Sequence, residues 1–287
     1  MKRIPSQTAL TFALLIGSVA GAHAATAWTL TSGGTETGAG NFGNTRTYGS
    51  TGSTVTISAW SDTKNSATAG NAYIESAYLG TYSGGLGITN RDGATGAGDT
   101  NEGTIANTTS PGHTMDNNTR YDSMLFDFGS GSSVKLQSVT VGWWYSDSDL
   151  TVLAYTGTGT PTFTSANQGY ASLLSSGWTT VKSSAGTTGT ANYADAAGGA
   201  PSQSSNSAGY IPLAVNDLNV SARYWLIGAL NTLVQALPNG ATLGSGNDYI
   251  KIAAVTGTYT KVPEPSSLAL LGGTSLIALL GMRRRKN

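Results

Sequence analysis

Residues 55–59 read Val-Thr-Ile-Ser-Ala, apolar and polar in strict turn. A period of two is the mark of a half-buried strand. Tyr73 to Tyr78 (YIESAY) predicts a second strand. The clearest pattern lies in RYDSMLFDFGSGSSVKLQSVTVGWWYSDSDLTVLAYTG. Met124 to Phe128 reads as a strand with Phe126 and Phe128 on one face, and Ser-Gly-Ser turns the chain. Val139, Val141, Trp143 and Tyr145 then share one face of the next strand. Ser146 to Asp149 supplies another turn, and Leu150 to Tyr155 returns, completing a β-meander. Ala171 to Val181 predicts a strand around Trp178, and Tyr249 to Val255 a late one.

Ala222 to Leu230 is ambiguous. Leu226, Leu230, Leu233, Val234 and Leu237 have helical spacing before Pro238, whereas the Tyr-Trp-Leu-Ile cluster and Gly228 favour a strand. Asn90 to Asn118 and Ser183 to Gly209 are polar, turn-rich stretches that read as long loops. Many short strands with Gly-rich turns predict an all-β body, a β-sandwich or jelly roll.

The two ends follow different rules. MKRIPSQTALTFALLIGSVAGAHA has a basic n-region, an apolar run from Ala9 to Ala20, and small residues at Ala22 and Ala24. That is the order of a secretory signal, with signal peptidase cutting after Ala24. At the other end, Ser267 to Met282 is apolar and Arg283, Arg284, Arg285 and Lys286 follow at once. As a helix this stretch spans roughly 24 Å, somewhat short of a ~30 Å hydrocarbon core. The basic cluster resists translocation and predicts a single-span stop, with the body outside and the tip inside. The organisation expected is a signal helix over 1–24, a β-rich ectodomain over 25–261 and a tail with a transmembrane sorting helix over 262–287.

Val262-Pro263-Glu264-Pro265, the apolar stretch and the arginine cluster together resemble the PEP-CTERM sorting signal of bacterial proteins handled by exosortase. The resemblance implies a Gram-negative source, Val262 to Pro265 as the motif read, exosortase as processing partner, and transient residence in the inner membrane. The processed body would then reach the cell surface or the medium. GWWYSDSDLTVLAYTG, YWLIGAL and DYIKIAAVTG further resemble a subgroup of exosortase-dependent surface proteins. This second resemblance implies a location more than a chemistry.

With the ends set aside, the body carries nine basic and fourteen acidic residues, a net charge of about −5. A nucleic-acid partner, which calls for a basic patch, is not expected. The chain has no cysteine, so an exported fold must rest on its core or on bound ions. Charged residues make up 10% of it, against a typical ~25%. Tyrosines and tryptophans recur within the β-rich runs and argue against a disordered body.

Catalytic signals are weak. His113 is the only histidine outside the signal segment, and its Ser-Pro-Gly-His setting reads as a solvated loop. No G-x-S-x-G elbow accompanies it. No catalytic residue is assigned. Calcium takes six to eight oxygen ligands, and Ser146-Asp147-Ser148-Asp149 gathers such oxygens in a turn, with Asp122 and Asp127 at or near the adjacent strand. The same residues also favour turns for purely local reasons. Trp144 must face away from Trp143 and Tyr145 on a regular strand, so Trp144 or Tyr145 could offer a sugar-stacking ring.

These features lead to an exported surface or extracellular-matrix protein acting without catalysis in adhesion, envelope or biofilm structure, with exopolysaccharide or other matrix components as partners. The alternatives are a carbohydrate-binding module that depends on calcium, and a secreted polysaccharide hydrolase.

Overall fold

A computed structural model describes residues 24–65, 71–92, 112–163, 167–183, 192–193, 211–237, 243 and 246–261. The signal segment through His23 and the tail from Val262 lie outside the described residues, with both expected terminal helices, the Ala22 cleavage position and the whole sorting motif. No helix among the described residues is long and apolar enough to cross a membrane.

The described chain is all-β. In order, its strands are β1 (Ala25–Thr29), β2 (Thr35–Thr37), β3 (Thr45–Ser50), β4 (Ser53–Lys64), β5 (Tyr73–Ser76), β6 (Tyr78–Tyr82), β7 (Gly85–Thr89) and β8 (Met115–Asp116). There follow β9 (Asp122–Asp127), β10 (Ser132–Ser146), β11 (Leu150–Tyr155), β12 (Trp178–Thr180), β13 (Asn192–Tyr193), β14 (Ile211–Ala214), β15 (Tyr224–Ala229) and β16 (Asp248–Lys261). One 3-10 turn, Tyr170–Ser175, precedes β12. One antiparallel sheet runs β14-β10-β16-β7-β6, with β1 and β8 also paired to β16. The other runs β12-β11-β15-β9-β4-β3-β2, with β13 on β11 and β5 on β4.

The two sheets share one apolar core. Val55, Ile57 and Ala59 of β4 enter it, as their alternation predicts. Met124 and Phe126 of β9, Trp225 and Ile227 of β15, and Ile250, Ile252 and Val255 of β16 join them. The outer face of the second sheet is covered as well. Leu125, Leu153, Tyr224 and Leu226 pack there beneath Phe163, Tyr170, Leu173 and Trp178. A strand buried on both faces needs apolar residues on both. This is why Tyr-Trp-Leu-Ile forms β15, every residue of it buried, and why the strand reading holds there over the helical one.

The structure changes two expectations and narrows a third. The stretch from Asn90 to Asn118 is not all loop, since Met115 and Asp116 pair with Ile250 and Tyr249. The strand expected around Trp178 is present as Trp178–Thr180, with the 3-10 turn taking up the start of that segment. Along β10 the alternation breaks at Gly142, where Val141 pairs with Ile252 and Trp143 already pairs with Lys251. This bulge inserts one residue and reverses the facing beyond it. Val139, Val141 and Trp144 therefore belong to the inner core, and Trp143 and Tyr145 do not.

Close packing fixes β7 against β16. A Cβ on Gly87 would collide with the carbonyl oxygen of His113, and one on Gly85, at φ +125°, with that of Ile252. Only glycine fits where one backbone presses on another in this way.

Candidate functional site

The chemistry-bearing side chains gather at one end of the sandwich, where β10 ends and β16 begins. Ser146 pairs with Asp248 across these strands, and Tyr145 with Tyr249. The chain then turns with Ser146 at φ +63°, and the Asp147 amide donates to the Tyr145 carbonyl at 2.8 Å. This brings carboxylate oxygens of Asp147, Asp149 and Asp248 within 4.8 Å of one another. The Asp149 amide donates to Asp248 Oδ1 at 2.6 Å. Asn117 Nδ2 donates to Asp248 Oδ2 at 2.6 Å, and Asn117 Oδ1 accepts from the Asp248 amide at 2.8 Å. Asp147 Oδ1 accepts the Ser148 amide at 2.8 Å.

Asp248 is fully buried and Asp149 nearly so, while Asp147 is half-buried. Burial first, and the charge of Asp149 next, push the Asp248 carboxyl up to about 8. Without a counter-ion this group therefore favours its proton at neutral pH. An oxygen set of this kind suits a hard divalent cation such as calcium, whose charge would take the place of that proton.

Of the four aspartates expected to bind calcium, only Asp147 and Asp149 come together. Asp127 is held by Arg223 in a two-pronged ion pair at 2.7 and 2.8 Å. Asp122 lies buried at the start of β9, in a second acidic group with Asp116. Asp248 was missed by the sequence reading. It stands 99 residues beyond Asp149 and enters the cluster only through strand pairing, its one local signal being the Gly-Asn-Asp turn before β16.

The aromatic expectation changes as well. Trp144 is 4% exposed, its ring in the inner core, and so cannot act as a solvent-facing platform. The physical reason is the Gly142 bulge. Tyr145, at 45%, is exposed and sits 5.9 Å from the ring of Tyr249, beside the acidic turn. Asn247 bridges towards the same spot, donating to Asn118 Oδ1 at 2.9 Å and to the Tyr249 hydroxyl at 3.4 Å.

His113 is not a solvated loop residue. It is 7% exposed, its Nε2 lies 3.0 Å from Lys251 Nζ, and its ring is 4.1 Å from that of Tyr82. The Lys251 ammonium lies 4.4 Å from the Trp143 ring and 5.4 Å from the Tyr82 ring. Burial pushes Lys251 down from 10.5 to about 8. A lysine with a depressed folded-state value carries its penalty in full below pH 8 and sheds it between 8 and 10.5. Lys251→Met keeps the stem without the charge. It is expected to raise stability at pH 7 by about 1–3 kcal/mol, and urea denaturation should show this advantage shrinking toward pH 10. An advantage that stays constant with pH would refute this account of the Lys251 environment.

The model of the PEP-CTERM protein-sorting motif matches residues 261–286. The chain carries a PEP-CTERM motif. No curated protein and no solved structure matches the chain. The PEP-CTERM match spans Val262 to Pro265 and Arg283 to Lys286, the residues that carried the resemblance. The PEP-CTERM signal implies export through the membrane to the cell surface, with exosortase as the processing partner. The matched segment begins at Lys261, where β16 ends.

Proposed function

We propose that this is a non-enzymatic surface or matrix protein of the exosortase-dependent subgroup, acting in adhesion, envelope or biofilm structure. The observation that carries the reading is the junction of a β body built on a shared apolar core with a sorting motif at Lys261. Cutting beyond that residue spares β16, the strand that four others pair with in the first sheet. The body thus keeps its fold after processing. Before processing, the apolar tail holds the body on the outer side of the inner membrane, with Arg283 to Lys286 inside.

The test is made in the native host. Mass spectrometry of the mature protein is expected to show that Arg283 to Lys286 have been removed. Changing Pro263, Glu264 and Pro265 to alanine should leave the tail attached and the protein in the inner-membrane fraction. A native product recovered from the cytosol with its arginines in place would refute the sorting. Deleting the gene should reduce matrix retention or cell adhesion, and an unaltered matrix would refute the structural role.

A carbohydrate-binding role is the second reading, favoured by the exposed Tyr145 beside Tyr249 and the acidic turn. Paired tyrosine faces stack on the apolar faces of sugars, and a cation in the turn would hold them in place. Glycan-array binding that requires calcium and is lost in Tyr145→Ala would favour it over pure scaffolding.

A further inference from the structure

The acidic turn is not the only place where oxygens converge. Behind it, β8 and β9 carry Asp116 and Asp122 into the interior, each 1% exposed. Asn117, between them and the turn, ties β8 to Asp248. Ser61 of β4 is the direct cross-strand partner of Asp122 and is fully buried.

Hydrogen bonds account for only part of this group. Asp122 Oδ1 accepts a long 3.4 Å bond from Asn90 Nδ2. Asp122 Oδ2 and the Ser61 hydroxyl each lack a hydrogen bond of acceptable geometry, although the Ser61 hydroxyl and the Asp116 amide lie close enough to the carboxyl to favour its charged form in part. Asp116 accepts the Asn118 amide at 3.0 Å and the Thr114 hydroxyl at 3.3 Å. Burial, then the charge of Asp116, push the Asp122 carboxyl well above its ordinary range. The nearby guanidinium of Arg120 directs its NH1 to the Asp62 carbonyl and its NH2 to Asp92.

A buried carboxylate oxygen without a well-formed hydrogen bond is costly, and native folds rarely keep one. A water molecule would satisfy the oxygen but would leave two carboxylates repelling each other in a low dielectric. A cation answers both needs. The donors are oxygens only, two carboxylates and a hydroxyl, which selects a hard ion over zinc or copper. We propose that Asp116, Asp122 and the hydroxyl of Ser61 hold a calcium ion inside this end of the sandwich, separate from the Asp147 turn. Such an ion joins β4, β8 and β9, so it ties the second sheet to a strand paired with β16 of the first. It is a substitute for the disulfides that a chain without cysteine cannot form.

The test uses the mature protein, stripped with chelator and titrated with calcium chloride by calorimetry, with magnesium chloride as comparator. Asp122→Asn keeps the shape and removes the charge. It is expected to lose one equivalent of bound calcium, together with part of the calcium-dependent rise in melting temperature. Asp147→Asn is expected to keep that equivalent, which separates the interior site from the turn. Ser61→Ala should weaken it by at least about tenfold. Terbium luminescence sensitised by tyrosine should follow the same order, because Tyr170 bonds Ser123 next to Asp122. Wild-type stoichiometry and affinity in Asp122→Asn would overturn the proposal. If Asp122→Asn fails to fold, unchanged binding in Ser61→Ala would overturn it equally.

Discussion

Trp225→Ala is expected to destabilise the body by about 3–5 kcal/mol, the usual cost of emptying a large aromatic site in a closed core. Trp225 is fully buried on β15, between Ala154 and Phe126 on the neighbouring strands. Its position adds to the effect. Val134 of β10 and Ala222, just before β15, exchange backbone hydrogen bonds at 2.8 and 3.1 Å, a bridge between elements of opposite sheets. The Trp225 indole NH donates to both of those carbonyls at 3.2 Å. The ring therefore fills the core and braces the place where the sheets are stitched together. In a domain of this size the loss corresponds to roughly 6–20 °C in melting temperature. Trp225→Phe keeps most of the volume but not the donor, and should cost less than half as much. Chemical denaturation of the three proteins measures both terms. A loss below about 1 kcal/mol in Trp225→Ala would mean that the site collapses freely and that this account of the core is wrong.

How far these elements could be read in advance depended on where their partners lie in the chain. The Val55–Ala59 alternation was legible because one covered face imposes a period of two. β15 was ambiguous because its outer face is covered by Phe163, Tyr170 and Trp178, distant segments whose effect on local pattern looks the same for a buried helix. The fate of Trp144 depended on a single inserted residue at Gly142, a glycine whose place inside a strand pattern is a bulge signal that the alternation alone does not use. The acidic turn was half legible. Asp147 and Asp149 stand together in sequence, whereas Asp248 and Asn117 reach them only through the pairing of β16 with β10 and β8. Asp127 looked equivalent to its neighbours until Arg223, 96 residues away, claimed it. The sorting motif was readable because its signals are local: a motif, an apolar run and a basic cluster read in order along the chain.

The second large effect is expected at Arg120, the one buried arginine among the described residues. Its side chain and that of Asp92 are both fully buried, and they form an ion pair at 2.9 Å. Such a pair contributes little net stability against a well-packed apolar pair, but removing one partner strands a charge. Arg120→Met should therefore cost about 3–5 kcal/mol, while Arg120→Met combined with Asp92→Leu should recover most of that loss. Denaturation of the two single variants and the double variant gives the coupling directly. The neighbourhood sharpens the expectation. Asp62, Asp116 and Asp122 are buried in the same end, so Arg120 offsets more than the one carboxylate it pairs with. Removing it should leave a more negative interior and make the fold lean harder on calcium. The calcium-dependent rise in melting temperature should then be larger in Arg120→Met than in the wild type. If the single variant is as stable as the double one, the Asp92 charge is not confined to a dry interior, and the electrostatic case for an ion at Asp122 weakens with it.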